Sequence, residues 1–433
     1  MSAVRGSGLV IAAPSSGAGK TTLTLALLRA LARRGLRVAS AKTGPDYIDP
    51  AFHAAASGRP CVNLDPFAMR SELLGALAAR QARDADILVV EGVMGLFDGA
   101  ADGTGSTADL AARLSLPAVL VVDAAKQSQS VAALVRGFRD HRTDIDVAGV
   151  ILNRTGSPRH ETMLRAALDA IGMPVLGAVA RDAGFELPER HLGLVQAGEH
   201  GDLDAFLDHA ATRVAATCDL DALIRLARPL PAAGETPTLS PPGQRIAIAR
   251  DTAFAFSYPH LVEGWRALGA EITFFSPLAD EAPDSLADAV YLPGGYPELH
   301  AARIAEASAF RSGMQGAAAR GALVYGECGG YMVLGDGLVD AHGARHAMLG
   351  LLPLETSFAT RKRHLGYRRL LAHAGAPWQG RLTGHEFHYS TLVREGEASR
   401  LFEARGATGA SLGDVGLRVG RVMGSYIHLI DRA

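Results

Sequence analysis

Cysteine is nearly missing from this chain: three residues in 433, at positions 61, 218 and 328. Three thiols so far apart make neither a disulfide framework nor a cysteine-based zinc site. Their scarcity suits a reducing compartment. Long apolar runs are missing too. No stretch reaches the roughly 20 residues that a membrane helix needs. The opening MSAVRGSGLVIAAPSSGAGK runs from a short apolar segment into a glycine loop, not a cleavage site, so no signal peptide is expected. Excess charge of one sign is also missing, with 43 basic residues against 45 acidic ones and a formal net charge of −2. This excludes a globally basic nucleic-acid binder or a polybasic membrane anchor, and leaves any charged patch local. Lysine is scarce while arginine and alanine are abundant, which reflects genome composition rather than mechanism. A soluble cytoplasmic protein is the expectation.

Apolar residues are plentiful, at 48%, and a chain this long holds two or three domains. In the first half, short apolar runs alternate with helical patterns. Leu9–Ala13, Leu36–Ala41, Ile87–Glu91, Ala118–Asp123 and Val147–Leu152 read as buried strands. Thr21–Arg34, Arg70–Ala82 and 203–229 read as helices. Such alternation predicts an α/β domain on a mostly parallel sheet covered on both faces. PLPAAGETPTLSPPGQ, ending at 244, is rich in proline, glycine and small polar residues and reads as a linker. Beyond it the alternation restarts at Arg245–Ala249, Glu271–Phe275, Ala289–Leu292 and Ala322–Tyr325. The expected division is a first domain over 1–229, a linker over 230–244 and a second α/β domain over 245–433.

Two glycine turns carry the chemistry. APSSGAGKTT (13–22) follows a strand and opens a helix. There Gly17 and Gly19 let backbone N–H groups curl around an anion, and the helix N-terminus adds partial positive charge. Lys20 is placed to bridge terminal phosphates, Thr21 to ligate Mg²⁺, and Thr22 to contact the nucleotide. The first glycine of the usual pattern is replaced by Pro14. Supporting acids are expected at the carboxyl ends of neighbouring strands. ILVVEG ends on Glu91, AKTGPDYIDP supplies Lys42, Asp46 and Asp49, and GLFDG supplies Asp98; carboxylate and phosphate oxygens suit Mg²⁺. The second turn is VYGECGGYMVLG. It sets Cys328 between a strand and a helix, where an exposed side chain and a helix N-terminus favour thiolate. His428 in VMGSYIHLI is the candidate base. Gly294 and Gly295 of LPGGYPE, with Gly329, are the candidate oxyanion donors. Cys61 and Cys218 are read as packing residues.

The first half resembles the dethiobiotin synthetase-like branch of P-loop enzymes. The resemblance implies an ATP site, phosphorylation of a carboxylate, and Asn153 in GVILNR beside the adenine. The signature lysine of the MinD-type ATPases is absent, with Ser15 in its place. The second half, from 245 onward, resembles the class I, triad-type glutamine amidotransferases, in which cysteine attacks the side-chain amide of L-glutamine and ammonia is released. Their usual acid two residues after the histidine is missing here, where Ile430 stands.

APSSGAGKTT, KTGPDYIDP, EGVMGLFDG, LPGGYPE, YGECGGYMVLG and GHEFHYS together resemble the cobyrinic acid a,c-diamide synthase family of vitamin B12 synthesis. That resemblance implies ATP- and glutamine-dependent amidation of the a and c acetates of a corrin. It places Asp46, Glu91 and Thr21 with Mg²⁺ and ATP, Asp49 and Asp98 nearer the substrate carboxylate, and Lys42 on the acyl phosphate. It leaves open whether the acceptor is hydrogenobyrinic or cobyrinic acid, the high-GC composition leaning to the metal-free one. Cobyric acid synthase, the nickel-pathway diamide synthase and a MinD-like nucleotide switch are the alternatives. A homodimer is allowed. RKRHLGYRR (361–369) is either a solvated basic loop or a contact for an acidic substrate. GHEFHYS is read as a structural or substrate-contacting loop without a metal.

Overall fold

A computed structural model describes residues 6–185, 189–190, 193–194, 196–199, 201–232, 234 and 236–433. The chain divides into two compact units. The first takes in residues up to Phe67 and Ser71–Thr236, and the second takes in Ala68–Arg70 and Pro237–Ala433.

The first unit is built on β1 (Ser7–Ala12), β2 (Val38–Thr43), β3 (Cys61–Leu64), β4 (Ile87–Glu91), β5 (Ala118–Asp123), β6 (Val147–Thr155) and β7 (Val175–Ala180). They lie in the order β3-β2-β4-β1-β5-β6-β7, all parallel. β1 to β4 are buried throughout, and in β1 and β4 this shows in the sequence as a continuous apolar run, LVIA and ILVV. β1 lies between β4 and β5, so the loop after it opens where crossovers leave toward opposite edges of the sheet, the usual ligand position in such folds. That loop leads into α1 (Lys20–Arg33), and α2 (Asp49–Ser57) follows β2. The alternation had not singled out β3 or β7. The expected 203–229 helix is broken at Cys218 into Leu203–Thr217 and Leu220–Leu226, and Arg228–Pro229 pairs antiparallel with β1. Cys218 is a packing residue: a Cβ on Gly177 would meet its sulfur.

In the second unit a ten-stranded sheet begins with five parallel strands in the order Glu271–Phe275, Arg245–Ala249, Ala289–Leu292, Leu323–Glu327 and Val422–Ser425. Five antiparallel strands continue it, ending with His364–Ala372, Arg381–His388 and Ile427–Arg432. RKRHLGYRR and GHEFHYS therefore lie largely on paired strands, not loops. The second half of the proline-rich stretch is packed rather than free. Leu239 is buried, its carbonyl accepts from the Trp265 indole N–H at 3.1 Å, and the Ser240 carbonyl accepts from Trp378 at 2.7 Å.

Candidate active sites

In the first unit, β1 ends at a loop whose Gly17 and Gly19 have φ of 80° and 84°, a region that other residues enter only at a cost. The loop is braced from behind. The Asn153 amide donates to the Ala18 carbonyl at 2.9 Å, and Arg154 donates to the Gly17 carbonyl at 2.8 Å and to Asp123 at 2.6 Å. A Cβ on Gly19 would lie 2.2 Å from Asn153 Nδ2. Gly19, Thr22, Asn153, Arg154 and Phe185 line a cavity of about 300 Å³ beside the loop.

Beside Lys20, whose Nζ lies 3.8 Å from Glu91, side chains from α1, β2, α2 and β4 converge. The Thr21 hydroxyl donates to Glu91 at 2.6 Å and lies 3.5 Å from Asp49. Lys42 Nζ donates to Asp49 at 2.6 Å and to Glu91 at 2.8 Å. His53, one turn along α2 from Asp49, meets the other Glu91 oxygen at 2.6 Å. The charges hold one another. Burial works against Lys42, but Asp49 and Glu91 outweigh it and keep the ammonium charged. Burial also works against Glu91, and Lys42 and His53 hold it below the usual carboxylate range. Asp49 is pushed up to about 6 by burial and by Asp46, with Lys42 opposing. Lys20 is lowered to about 8 by burial and by Lys42.

The expected acids separate in role. Asp49 reaches the Thr21–Glu91–Lys42 cluster. Asp46 turns one oxygen to the backbone N–H groups of Ile48 and Asp49, each at 2.9 Å. Asp98 is exposed, and its Oδ2 accepts from the Gly95 N–H at 2.9 Å, closing its own turn. His53 was missed in the sequence. Its only signal is its place four residues after Asp49 on one helix face. Cys61 packs beside His53, 3.6 Å from Nδ1.

In the second unit the strand Leu323–Glu327 delivers Cys328 to the turn before the helix Gly329–Leu334. Cys328 has φ 49° and ψ −109°, a strained position of the kind that clusters at functional sites. Gly294 is where the pair meets. A Cβ there would lie 3.0 Å from His428 Nε2 and 3.1 Å from Cys328 Cβ. The Gly295 nitrogen is 3.1 Å from the place a Gly329 Cβ would take, so the two glycines lie side by side at this turn, and the Gly329 N–H faces the Cys328 thiol. One expectation is corrected. The thiol is not held as thiolate: burial raises it, the Glu298 carboxylate adds to this, and only the Gly329 N–H opposes. The helix has six residues and Cys328 is 3% exposed, so desolvation of the anion wins. His428 is lowered to about 3, by burial and then by His385 and His388. The resting pair is a neutral thiol and a neutral imidazole.

Nearby, His364, Glu386 and His388 bring ligand atoms within 4.8 Å of one another. The Glu386 and His388 atoms are already engaged. Glu386 accepts from Arg368 at 2.8 Å and meets His388 at 2.9 Å, while the other His388 nitrogen meets Ser390 at 2.9 Å.

Residues 9–195 match the CobQ/CobB/MinD/ParA nucleotide binding domain, and 245–432 match the CobB/CobQ-like glutamine amidotransferase domain. The chain is 65% identical, over 98% of its length and 99% of the relative's, to a protein of Rhizobium meliloti (strain 1021) described as hydrogenobyrinate a,c-diamide synthase. Proteins of the same description from Brucella abortus biovar 1 (strain 9-941) and Mesorhizobium japonicum are 63% and 54% identical, each with 98% of both chains covered.

Proposed function

This chain belongs to the hydrogenobyrinate a,c-diamide synthase family, and from that premise we propose how its two glycine turns divide one reaction. It is an ATP- and glutamine-dependent ligase that converts the a and c acetate carboxylates of hydrogenobyrinic acid to amides in cobalamin biosynthesis. The observation that supports this reading most is the pairing of two chemistries in one chain. One is a braced phosphate loop beside buried Lys42, Asp49 and Glu91. The other is a Cys328–His428 pair across Gly294.

In the first unit a substrate carboxylate oxygen attacks the terminal phosphorus of ATP, and ADP leaves with the bridging oxygen. Lys20 and Lys42 offset the charge on the phosphates. The Thr21 hydroxyl and the Glu91 and Asp49 carboxylates form an oxygen set that suits Mg²⁺; when bound, the ion would neutralise phosphate charge. Asp49 takes the ligand role first given to Asp46. The cavity lined by Thr22, Asn153 and Phe185 is of a size and lining to hold the nucleoside.

In the second unit Cys328 attacks the side-chain amide carbon of glutamine. Its proton passes through His428 Nε2 to the departing ammonia, and water then releases glutamate from the thioester. Gly295 and Gly329 N–H groups face the developing oxyanion. Ammonia displaces phosphate from the acyl phosphate, and the cycle repeats on the second acetate. A cytoplasmic setting supplies ATP and glutamine.

The test is a mass spectrum of the product from hydrogenobyrinic acid, ATP, Mg²⁺ and glutamine, with a Cys328→Ala variant beside it. Two acid-to-amide conversions, lost in the variant and regained with ammonium, are expected. No product with this acceptor but product with its cobalt-containing counterpart would move the substrate assignment. ATP hydrolysis with no amidated product from either would overturn the reading.

A further inference from the structure

The acid that usually follows the base by two residues is absent, and Ile430 in its place is fully buried. A different carboxylate stands at the base. Glu327, the last residue of the strand that delivers the nucleophile, is 1% exposed. One of its oxygens lies 3.8 Å from His428 Nδ1. The other accepts from the backbone N–H of Leu429, the next residue after the base, at 3.0 Å. The Tyr291 hydroxyl donates to the first oxygen at 2.7 Å and pins the carboxylate from a third strand. One side chain thus holds the backbone of the base and faces its ring.

We propose that Glu327 is the positioning residue of the glutamine site, replacing the absent acid from the position just before the nucleophile. The inference rests on the reading of Cys328 and His428 given above. A carboxylate facing Nδ1 selects the tautomer with its proton on Nδ1, which leaves the Nε2 lone pair for the Cys328 proton. As the sulfur bonds to the amide carbon, that proton makes the ring an imidazolium, and the Glu327 charge stabilises it. The proton then leaves on the ammonia, and the ring returns to neutral. The 3.8 Å gap is longer than a hydrogen bond, and catalytic contacts of this kind tighten when substrate is bound.

The same geometry predicts a pH limb. Burial raises Glu327 to about 7, opposed by the Leu429 N–H and the Tyr291 hydroxyl. The other titratable groups facing it are Tyr325, Cys328 and His428. The carboxylate is ionised above that pH, so glutamine hydrolysis should rise as pH passes through about 7.

The test is steady-state glutamine hydrolysis by full-length Glu327→Gln, Glu327→Asp and Cys328→Ala. For Glu327→Gln, kcat should fall by about 10²-fold with KM for glutamine within about twofold, and the limb near neutrality should vanish. Glu327→Asp should recover about tenfold of the lost kcat, which a packing defect would not allow. A kcat for Glu327→Gln within about twofold of the parent, an unchanged pH limb, or no recovery in Glu327→Asp would overturn the inference. Activity retained in Cys328→Ala would instead overturn the reading of the whole site. An inactive Cys328→Ala beside an active Glu327→Gln would sink the Glu327 inference alone.

Discussion

Asp46 and Asp49 are three positions apart and touch different things. Asp49 reaches Lys42 and Thr21, and Asp46 caps the turn into α2. Asp49→Asn should therefore lower ammonia-driven amidation by about 10²-fold or more, since it removes a charge from the phosphate side of the site. Asp46→Asn keeps an acceptor for the two N–H groups and should cost about 1 kcal/mol or less of stability. Kinetics with ammonium and a thermal melt of each variant check the pair. Equal losses of turnover would return Asp46 to the cluster. The sequence placed both acids, Lys42 and Glu91 at strand ends, but could not tell their oxygens apart. His53 and Glu327 were hidden for another reason. Each is defined by a partner far along the chain, and an acid beside a cysteine in YGECGG reads as a strand residue until His428 is folded against it.

The turn elements were readable because glycine marks them. Gly330 must be glycine: an added Cβ would lie 2.0 Å from the Leu292 carbonyl oxygen. Gly294 makes a sharper case, because its Cβ would strike the base, 2.4 Å from His428 Cε1, rather than backbone. Gly294→Ala should keep the fold and displace the ring, and a shift of this size costs about 10²-fold in kcat for glutamine hydrolysis. Hydrolysis assays with a circular-dichroism melt check it; full activity would place the base elsewhere. Most of the parallel strands were also readable, because strands buried on both faces tend to be continuous apolar runs; Cys61–Leu64, Val175–Ala180 and Val422–Ser425 were not. The antiparallel strands were not. His364–Ala372 mixes exposed and half-buried positions with only Leu370 buried, so neither a continuous run nor a clean alternation appears. Its neighbour Arg381–His388 carries GHEFH, whose charged and imidazole groups point to chemistry before they point to a strand.

At the scale of the whole molecule the chain is two units of different sheet type. The second unit takes in Ala68–Arg70 from far back in the sequence. There the Arg70 guanidinium meets the fully buried Asp431 carboxylate at 2.9 Å and 3.0 Å, and the Ala68 carbonyl accepts from Thr383. Removing one partner of a buried pair leaves an uncompensated charge. Arg70 keeps some exposure, so Arg70→Ala should cost about 2–3 kcal/mol. Urea unfolding that loses the second unit's tryptophan signal at lower denaturant would show it, and an unchanged midpoint would contradict it.

The sequence by itself determined the α/β class, the two halves and the two glycine turns, because backbone demands and continuous burial are written locally. It determined which residue types stand at the strand ends for the same reason. Only the tertiary structure decided that Asp49 rather than Asp46 joins Thr21 and Glu91. It alone decided that the Cys328 thiol rests protonated and that a carboxylate from Glu327 faces His428. Those outcomes depend on desolvation and on distances between residues about a hundred positions apart in the case of Glu327 and His428, and neither quantity exists until the chain is folded.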